Sequence, residues 1–220
     1  MDAADWDARY TEENLIWGTG PNRWVVSELG ALNPGTALDL ASGEGRNAVW
    51  LAAEGWKVTA IDFSAVATER GRRLAAETEE RLGRTLDITW RVEDATKAEV
   101  DRSTFDAVLV SYLQLPAHAR REAMRLAARA LAPGGDMLVV AHDPTNLTEG
   151  YGGPQDPEIL YSAADVEEDL QDYLSSGSLV LERSGRVARE IEAEDGTHYA
   201  WDLLVHGKGR DMHKGEVTFG

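Results

Sequence analysis

The stretch Thr36-Ala37-Leu38-Asp39-Leu40-Ala41-Ser42-Gly43-Glu44-Gly45-Arg46-Asn47-Ala48 decides the fold. A turn signal, Asn33-Pro34-Gly35, stands before it. Thr36 to Ala41 is a short apolar run interrupted by one acid, Asp39, and has the length of a buried strand. Gly43 and Gly45 then allow a tight turn and a close approach of a ligand to the backbone. Arg46 to Glu54 reads as a helix, so free backbone N–H groups open just beyond the glycines. Gly43-x-Gly45-x-x-Ala48 matches the dinucleotide fingerprint in its Ala form. Asp62 follows Gly43 by 19 residues and ends the next apolar run, where a carboxylate can accept both hydroxyl protons of a ribose.

Outward from this motif, strands and helices alternate. Lys57 to Ile61 is a second short run, and Val66, Ala67, Arg70, Leu74, Thr78 and Leu82 recur at helical spacing until Gly83. Ile88, Trp90 and Val92 alternate as a third strand, and Phe105 to Val110 is a fourth, continuous and buried. Pro116 opens a helix to about Ala132, Pro133-Gly134-Gly135 ends it, and Met137 to Ala141 is a fifth strand. Ala163 to Leu174 reads as one acidic helix with a solvated face. Leu179 to Val187, Val187 to Ile191 and Tyr199 to Val205 read as strands, with Asp195-Gly196 as a hairpin turn. The pattern predicts a doubly wound, Rossmann-like α/β domain over 34–207, a parallel sheet closed by antiparallel pairing at its C-terminal edge. Residues 1–33, rich in Trp6, Tyr10, Trp17 and Trp24, are expected to form a helical cap, and 208–220 a tail.

Composition narrows the partners. Net charge is −17, from 39 acids against 22 Lys and Arg, which disfavours nucleic acid and anionic lipid as partners. A well-solvated acidic surface is the simplest reading of that charge. There is no cysteine, so disulfides, thiolate nucleophiles and cysteine-type zinc sites are excluded. The opening Met1-Asp2-Ala3-Ala4-Asp5 is not a secretory signal, and no apolar run approaches a membrane span, so a cytoplasmic location is expected. The five histidines show no metal-ligand spacing, and no metal is expected.

The glycine motif alone does not separate a nicotinamide cofactor from S-adenosylmethionine. Four further features weigh toward the latter: Asp39 within the strand, Glu93-Asp94-Ala95 after the third strand, Leu131-Ala132-Pro133-Gly134-Gly135 before the fifth, and the C-terminal hairpin. Together they resemble class I S-adenosylmethionine-dependent methyltransferases. Leu38 to Phe63, with Gly-Glu-Gly-Arg-Asn at 43–47 and Asp-Phe-Ser at 62–64, is similar to the small-molecule branch that includes tellurite-resistance and thiopurine-type enzymes. Trp17-Gly18-Thr19-Gly20-Pro21-Asn22-Arg23 resembles the segment that caps the cofactor in that branch. Many relatives carry cysteine where this chain has Ala41 or Ser42, but backbone groups do the binding there. The resemblance implies a three-layer α/β/α fold, a seven-stranded sheet with its last strand antiparallel, and S-adenosylmethionine as cofactor, released as S-adenosylhomocysteine.

It also implies roles. Asp62 should hold the ribose, and Ser64 is the N-cap of the following helix. Ala41, Gly43 and Gly45 should lie beneath the methionine part and ribose. Asp39 should face the ammonium, or else pair with Arg46; Arg46 either holds the cofactor carboxylate or is solvated. Phe63 should pack on the adenine, with Ala95 and Asp94 at its edge unless Asp94 is only a turn residue. Ser111 and Tyr112 end the fourth strand beside the departing methyl, where Tyr112 either shapes the acceptor pocket or is core. Trp17 and Arg23 are cap candidates. His142, beside Asp143 at the end of the fifth strand, is either a general base or an ordinary hydrogen-bonded histidine. The expected reaction is in-line methyl transfer to a small acceptor. The rival readings are an NAD(P)-dependent oxidoreductase, which lacks a Tyr-x-x-x-Lys pattern here, and a non-catalytic S-adenosylmethionine-binding protein. Oligomeric state is not readable.

Overall fold

A computed structural model describes residues 3–12, 20–193 and 195–211. Seven strands, β1 (Thr36–Leu40), β2 (Lys57–Asp62), β3 (Ile88–Val92), β4 (Phe105–Ser111), β5 (Leu131–His142), β6 (Leu179–Ala193) and β7 (Gly196–Gly209), form one sheet in the order β3-β2-β1-β4-β5-β7-β6. Pairing is parallel from β3 through β5. β7 is antiparallel to both β5 and β6. The last strand is therefore the antiparallel one, and it threads between β5 and β6 rather than forming the edge. β6 is a single 15-residue strand where the sequence suggested two, because its register with β7 runs nearly unbroken to the Asp195-Gly196 turn.

Alternation along the strands builds two layers around the sheet. Leu38, Leu40, Val108, Val110, Val139 and Ala141 meet α5 (Ala117–Ala130) and α7 (Ala163–Asp169) on one face. Ala37, Ala107, Leu109, Leu138, Val140 and Leu204 meet α2 (Arg23–Leu29) and α3 (Arg46–Ala53) on the other. Period-two alternation buries both faces at once, as a parallel sheet requires. The chain leaves β1 toward β2 on one side and later returns to β4 on the other. The C-terminal ends of β1 and β4 thus bound the crevice where ligands bind in such sheets.

Two elements depart from the sequence reading. Helix α5 stops at Ala130; Leu131 already pairs with Phe105, and Pro133-Gly134-Gly135 form an irregularity before pairing resumes at Asp136. A side chain at Gly135 would lie within 3.0 Å of the Phe105 and Asp106 carbonyl oxygens, so only glycine lets the strands close there. The acidic helix is broken at Leu170 into α7 and α8 (Gln171–Ser176), with α6 (Asn146–Glu149) preceding both. Its acidic face is not simply solvated. Asp169 is buried against Arg120 at 2.6 Å and Arg121 at 3.1 Å, and this locks α7 to α5.

Helix α4 (Ala65–Leu82) begins at Ser64, whose hydroxyl accepts the Ala67 N–H at 3.0 Å, and ends at left-handed Gly83. Within it, Gly71 serves packing. A Cβ at Gly71 would sit 2.6 Å from the Trp90 ring, and one at Gly45 2.4 Å from it. Trp90 on β3 is thus wedged between α4 and the glycine turn. In an exposed helix, glycine to alanine gains about 1 kcal/mol. Gly71→Ala is instead expected to destabilise the protein by roughly 1–3 kcal/mol through overpacking, measured by urea unfolding. A stabilised variant would refute the wedge.

Candidate active site

At the end of β1 the backbone turns left-handed at Ala41 (φ 62°), Gly43 (φ 55°) and Gly45 (φ 75°). For Ala41 this conformation is strained, of the kind that persists at ligand sites when the surroundings hold it. The Ser42 N–H donates to the Ile61 carbonyl at 2.9 Å, and the Gly43 N–H to Asp62 Oδ2 at 2.8 Å. Asp62 Oδ1 accepts the Ser64 N–H at 2.9 Å. Burial raises the Asp62 carboxyl above its ordinary value, and the Ser64 and Gly43 amides oppose that. A carboxylate oxygen can accept more than one hydrogen bond, so both retain capacity for a diol.

Asp39 is fully buried, and neither carboxylate oxygen has a hydrogen-bond partner among the described residues. Burial, then the nearby Asp62 charge, pushes its pKa up to about 7, while Arg46 and the Ala48 backbone N–H, which approaches without closing a hydrogen bond of normal geometry, act against this. A buried carboxylate without a partner is costly and marks a place for a donor or cation. Arg46, the first residue of α3, is half-buried; burial lowers its pKa, with Tyr112, Arg189, Asp39 and Glu44 around it. Glu44 is buried against Arg70 at 2.9 Å.

Helix α1 (Ala3–Glu12) lies over this edge. The Asp7 carboxylate accepts the Ser64 hydroxyl and the Val66 N–H, and a Cβ on Gly43 would meet the Tyr10 hydroxyl at 3.2 Å. Phe63 is partly buried beside it. Ala95 is buried in the core. Asp94 is engaged in its own turn: Oδ1 accepts the Thr96 N–H and hydroxyl at 2.8 Å, and Oδ2 pairs with Lys97 at 3.3 Å. Arg23 is exposed with its guanidinium 5.8 Å from the Trp24 ring. Trp17 lies outside the described residues.

The second half of the site starts at Ser111 and Tyr112, the latter again left-handed (φ 56°) at the end of β4. The Tyr112 hydroxyl donates to Asp202 Oδ2 at 2.9 Å, and its ring lies 4.8 Å from the His142 ring. Asp202, on β7, has no solvent exposure. It also accepts Trp24 Nε1 at 3.0 Å and Arg189 Nε at 2.7 Å, and His142 Nδ1 lies 3.4 Å from its Oδ1. Burial alone would raise the Asp202 pKa; His142, Arg189 and Trp24 hold it below the usual carboxylate range. Burial and the Asp202 charge push the Tyr112 phenol upward, so it is a neutral donor. Asn22 caps α2 by accepting the Trp24 N–H at 2.8 Å, and its own N–H donates to Asn47 Oδ1 on α3 at 2.9 Å.

The structure therefore brings Asp39, Ala41, Gly43, Gly45, Arg46, Asp62, Tyr112 and His142 together at the C-terminal ends of β1, β2, β4 and β5. Asp202, Arg189, Trp24 and Asp7 were missed. A signal for Asp202 existed, since it interrupts the apolar run 199–205 as Asp39 interrupts 36–41. The grouping of three possible metal ligands found among the described residues, Asp136, Glu182 and His206, lies elsewhere, and Lys208 and His206 already pair with Asp136.

The Asp39 environment sets a pH dependence. Its folded pKa, about 7, exceeds the ordinary 3.8, so the native state keeps a proton that the unfolded chain has lost. Stability from this group is present at low pH and lost as pH rises through about 4 to 7. Asp39→Asn is expected to flatten that decline in urea unfolding relative to wild type; an unchanged slope would contradict it.

The chain is similar to known methyltransferases. A family model described as a methyltransferase domain matches residues 37–135. A demethylmenaquinone methyltransferase of Clavibacter sepedonicus is 32% identical over 134 residues, 59% of this chain and 52% of that protein. The match thus spans about half the length of that relative. One from Mycobacterium sp. (strain KMS) is 28% identical over 209 residues, covering 90% of this chain and 85% of its own. The crystal structure of TehB from Haemophilus influenzae has the same fold, with a TM-score of 0.67 at 17% identity, covering 94% of this chain and 67% of its own. Together with the glycine turn and the β7 insertion, these matches make the chain similar in sequence and fold to S-adenosylmethionine-dependent methyltransferases.

Proposed function

We propose that this protein transfers a methyl group from S-adenosylmethionine to a small aromatic acceptor. The observation that carries it is Asp39: a fully buried carboxylate without a hydrogen-bond partner, beside the glycine turn and Asp62. An ammonium at that place would satisfy it, so the residues fit the cofactor. Asp62 holds the ribose hydroxyls, and the backbone at Ala41, Gly43 and Gly45 admits the methionine part. Arg46 takes the cofactor carboxylate. Phe63 packs on the adenine, with the backbone of Asp94 and Ala95 at its edge. Ser111 and Tyr112 separate the cofactor half from the acceptor half.

When bound, S-adenosylmethionine supplies a methyl group already activated as a sulfonium. The protein's own work is to orient the acceptor and exclude water, which supplies roughly 7–11 kcal/mol in favourable cases. Tyr112 and His142 wall the acceptor side. Relatives named demethylmenaquinone methyltransferase support an aromatic acceptor. No described helix is long and apolar enough to cross a membrane, and we place the reaction in the cytoplasm.

Calorimetric titration tests the cofactor assignment. S-adenosylhomocysteine is expected to bind wild type, NAD and NADP not to bind, and Asp62→Ala to weaken binding at least about tenfold, the loss of one charge-assisted contact pair. Binding of NAD, or full affinity in Asp62→Ala, would overturn it.

A further inference from the structure

We propose that Asp202 fixes His142 as a general base, and hence that the acceptor is a weakly acidic hydroxyl whose proton the protein removes. This rests on the methyltransferase reading above and deepens it. Asp202 Oδ2 is taken by three donors, Trp24 Nε1, Tyr112 Oη and Arg189 Nε. Oδ1 faces His142 Nδ1 at 3.4 Å, with Arg189 Nη2 at the same distance. Nδ1 is buried and forms no hydrogen bond of normal geometry, so its approach to Asp202 is a charge contact rather than a closed bond. If the imidazole proton sat on Nε2, the Nδ1 lone pair would face a carboxylate oxygen, acceptor against acceptor. A proton on Nδ1 removes that repulsion and points a donor at Asp202. Nε2, which makes no hydrogen bond to any described residue, is then the basic atom.

The surroundings leave this role to one pair. The His142 N–H donates to Gln114 Oε1, which fixes the backbone at the end of β5. Asp143 is turned away to the Thr145 N–H and hydroxyl. Tyr112 stacks at an angle on the ring, and Gly153 lies against Nδ1 and Cε1, where a Cβ would come within 3.1 Å. Among the described residues Asp202 is the carboxylate paired with the ring, and Arg189 pairs with the same carboxylate. The register of β5 with β7 sets His142 directly opposite Asp202.

The step balances. The acceptor hydroxyl proton passes to Nε2 as the oxygen–methyl bond forms and the sulfur–methyl bond breaks. The positive charge leaves sulfur, which becomes a neutral thioether, and appears on the imidazole, where Asp202 stabilises it. A soft anion would need no such pair. His142 is thus the catalytic residue, and Asp202 a positioning residue.

The test uses the full chain saturated with S-adenosylhomocysteine. Long-range nitrogen–proton NMR is expected to show His142 as the Nδ1–H tautomer, and Asp202→Asn to reverse it while S-adenosylhomocysteine affinity stays within about twofold. With S-adenosylmethionine and a series of substituted phenols, Asp202→Asn and His142→Asn are expected to lower kcat by about 10²–10⁴, with little change in KM. The loss should shrink for 4-nitrophenol, which is largely ionised at the assay pH. An Nε2–H tautomer in wild type, or equal losses for ionised and neutral phenols, overturns the proposal. If Asp202→Asn does not fold, the wild-type tautomer and His142→Asn decide the question. Failure of the cofactor reading would show separately, as absence of S-adenosylhomocysteine binding.

Discussion

The hydrogen bond from the Gly43 N–H to Asp62 Oδ2, 2.8 Å long, joins the turn after β1 to the end of β2, and the crevice depends on it. It holds the glycine turn open in left-handed geometry and keeps the Asp62 carboxylate at the strand end. The next donor, the Ser64 N–H, belongs to the start of α4, so one carboxylate ties a strand, a turn and a helix. Trp90 presses on the same turn from β3, where any residue larger than glycine at 45 or 71 would collide with it. The local geometry is overdetermined, which is how strained backbone at Ala41 survives.

A second constraint is the shared face. Ala37 and Asp39, Leu138, Val140 and His142, and Leu204 and Asp202 alternate onto the side of the sheet covered by α2 and α3. Along each strand the apolar members fill the core, and the polar member stands at the crevice end. Antiparallel β7 makes this possible: its early residues, not its late ones, lie beside the C-terminal end of β5. Asp202 then gathers donors from α2, β6 and the end of β4, with His142 of β5 3.4 Å away. Buried polar groups satisfied this way specify one arrangement of the elements that carry them.

The glycine turn and its contact with Asp62 were legible in the sequence because their parts are close in the chain. Strand, glycines, helix and Asp62 fall within about thirty residues, and their order carries the geometry. The acceptor half was less so. His142 was visible as a strand-end histidine, yet Asp202 lies 60 positions away by number and meets it only through the β5–β7 register. Arg189 was hidden because β6 read as two strands. The acidic run in α7 and α8 read as solvated, since nothing local says that Arg120 and Arg121 will cover Asp169. The misses share one physical cause: the partner of each charge is tertiary.

The most direct measurement is a crystal structure with S-adenosylhomocysteine bound. The ligand is expected in the crevice between the ends of β1 and β4, its ribose hydroxyls on Asp62 and its ammonium end toward Asp39. A ligand bound away from both carboxylates would contradict the assignment of this crevice as the methyl-donor site.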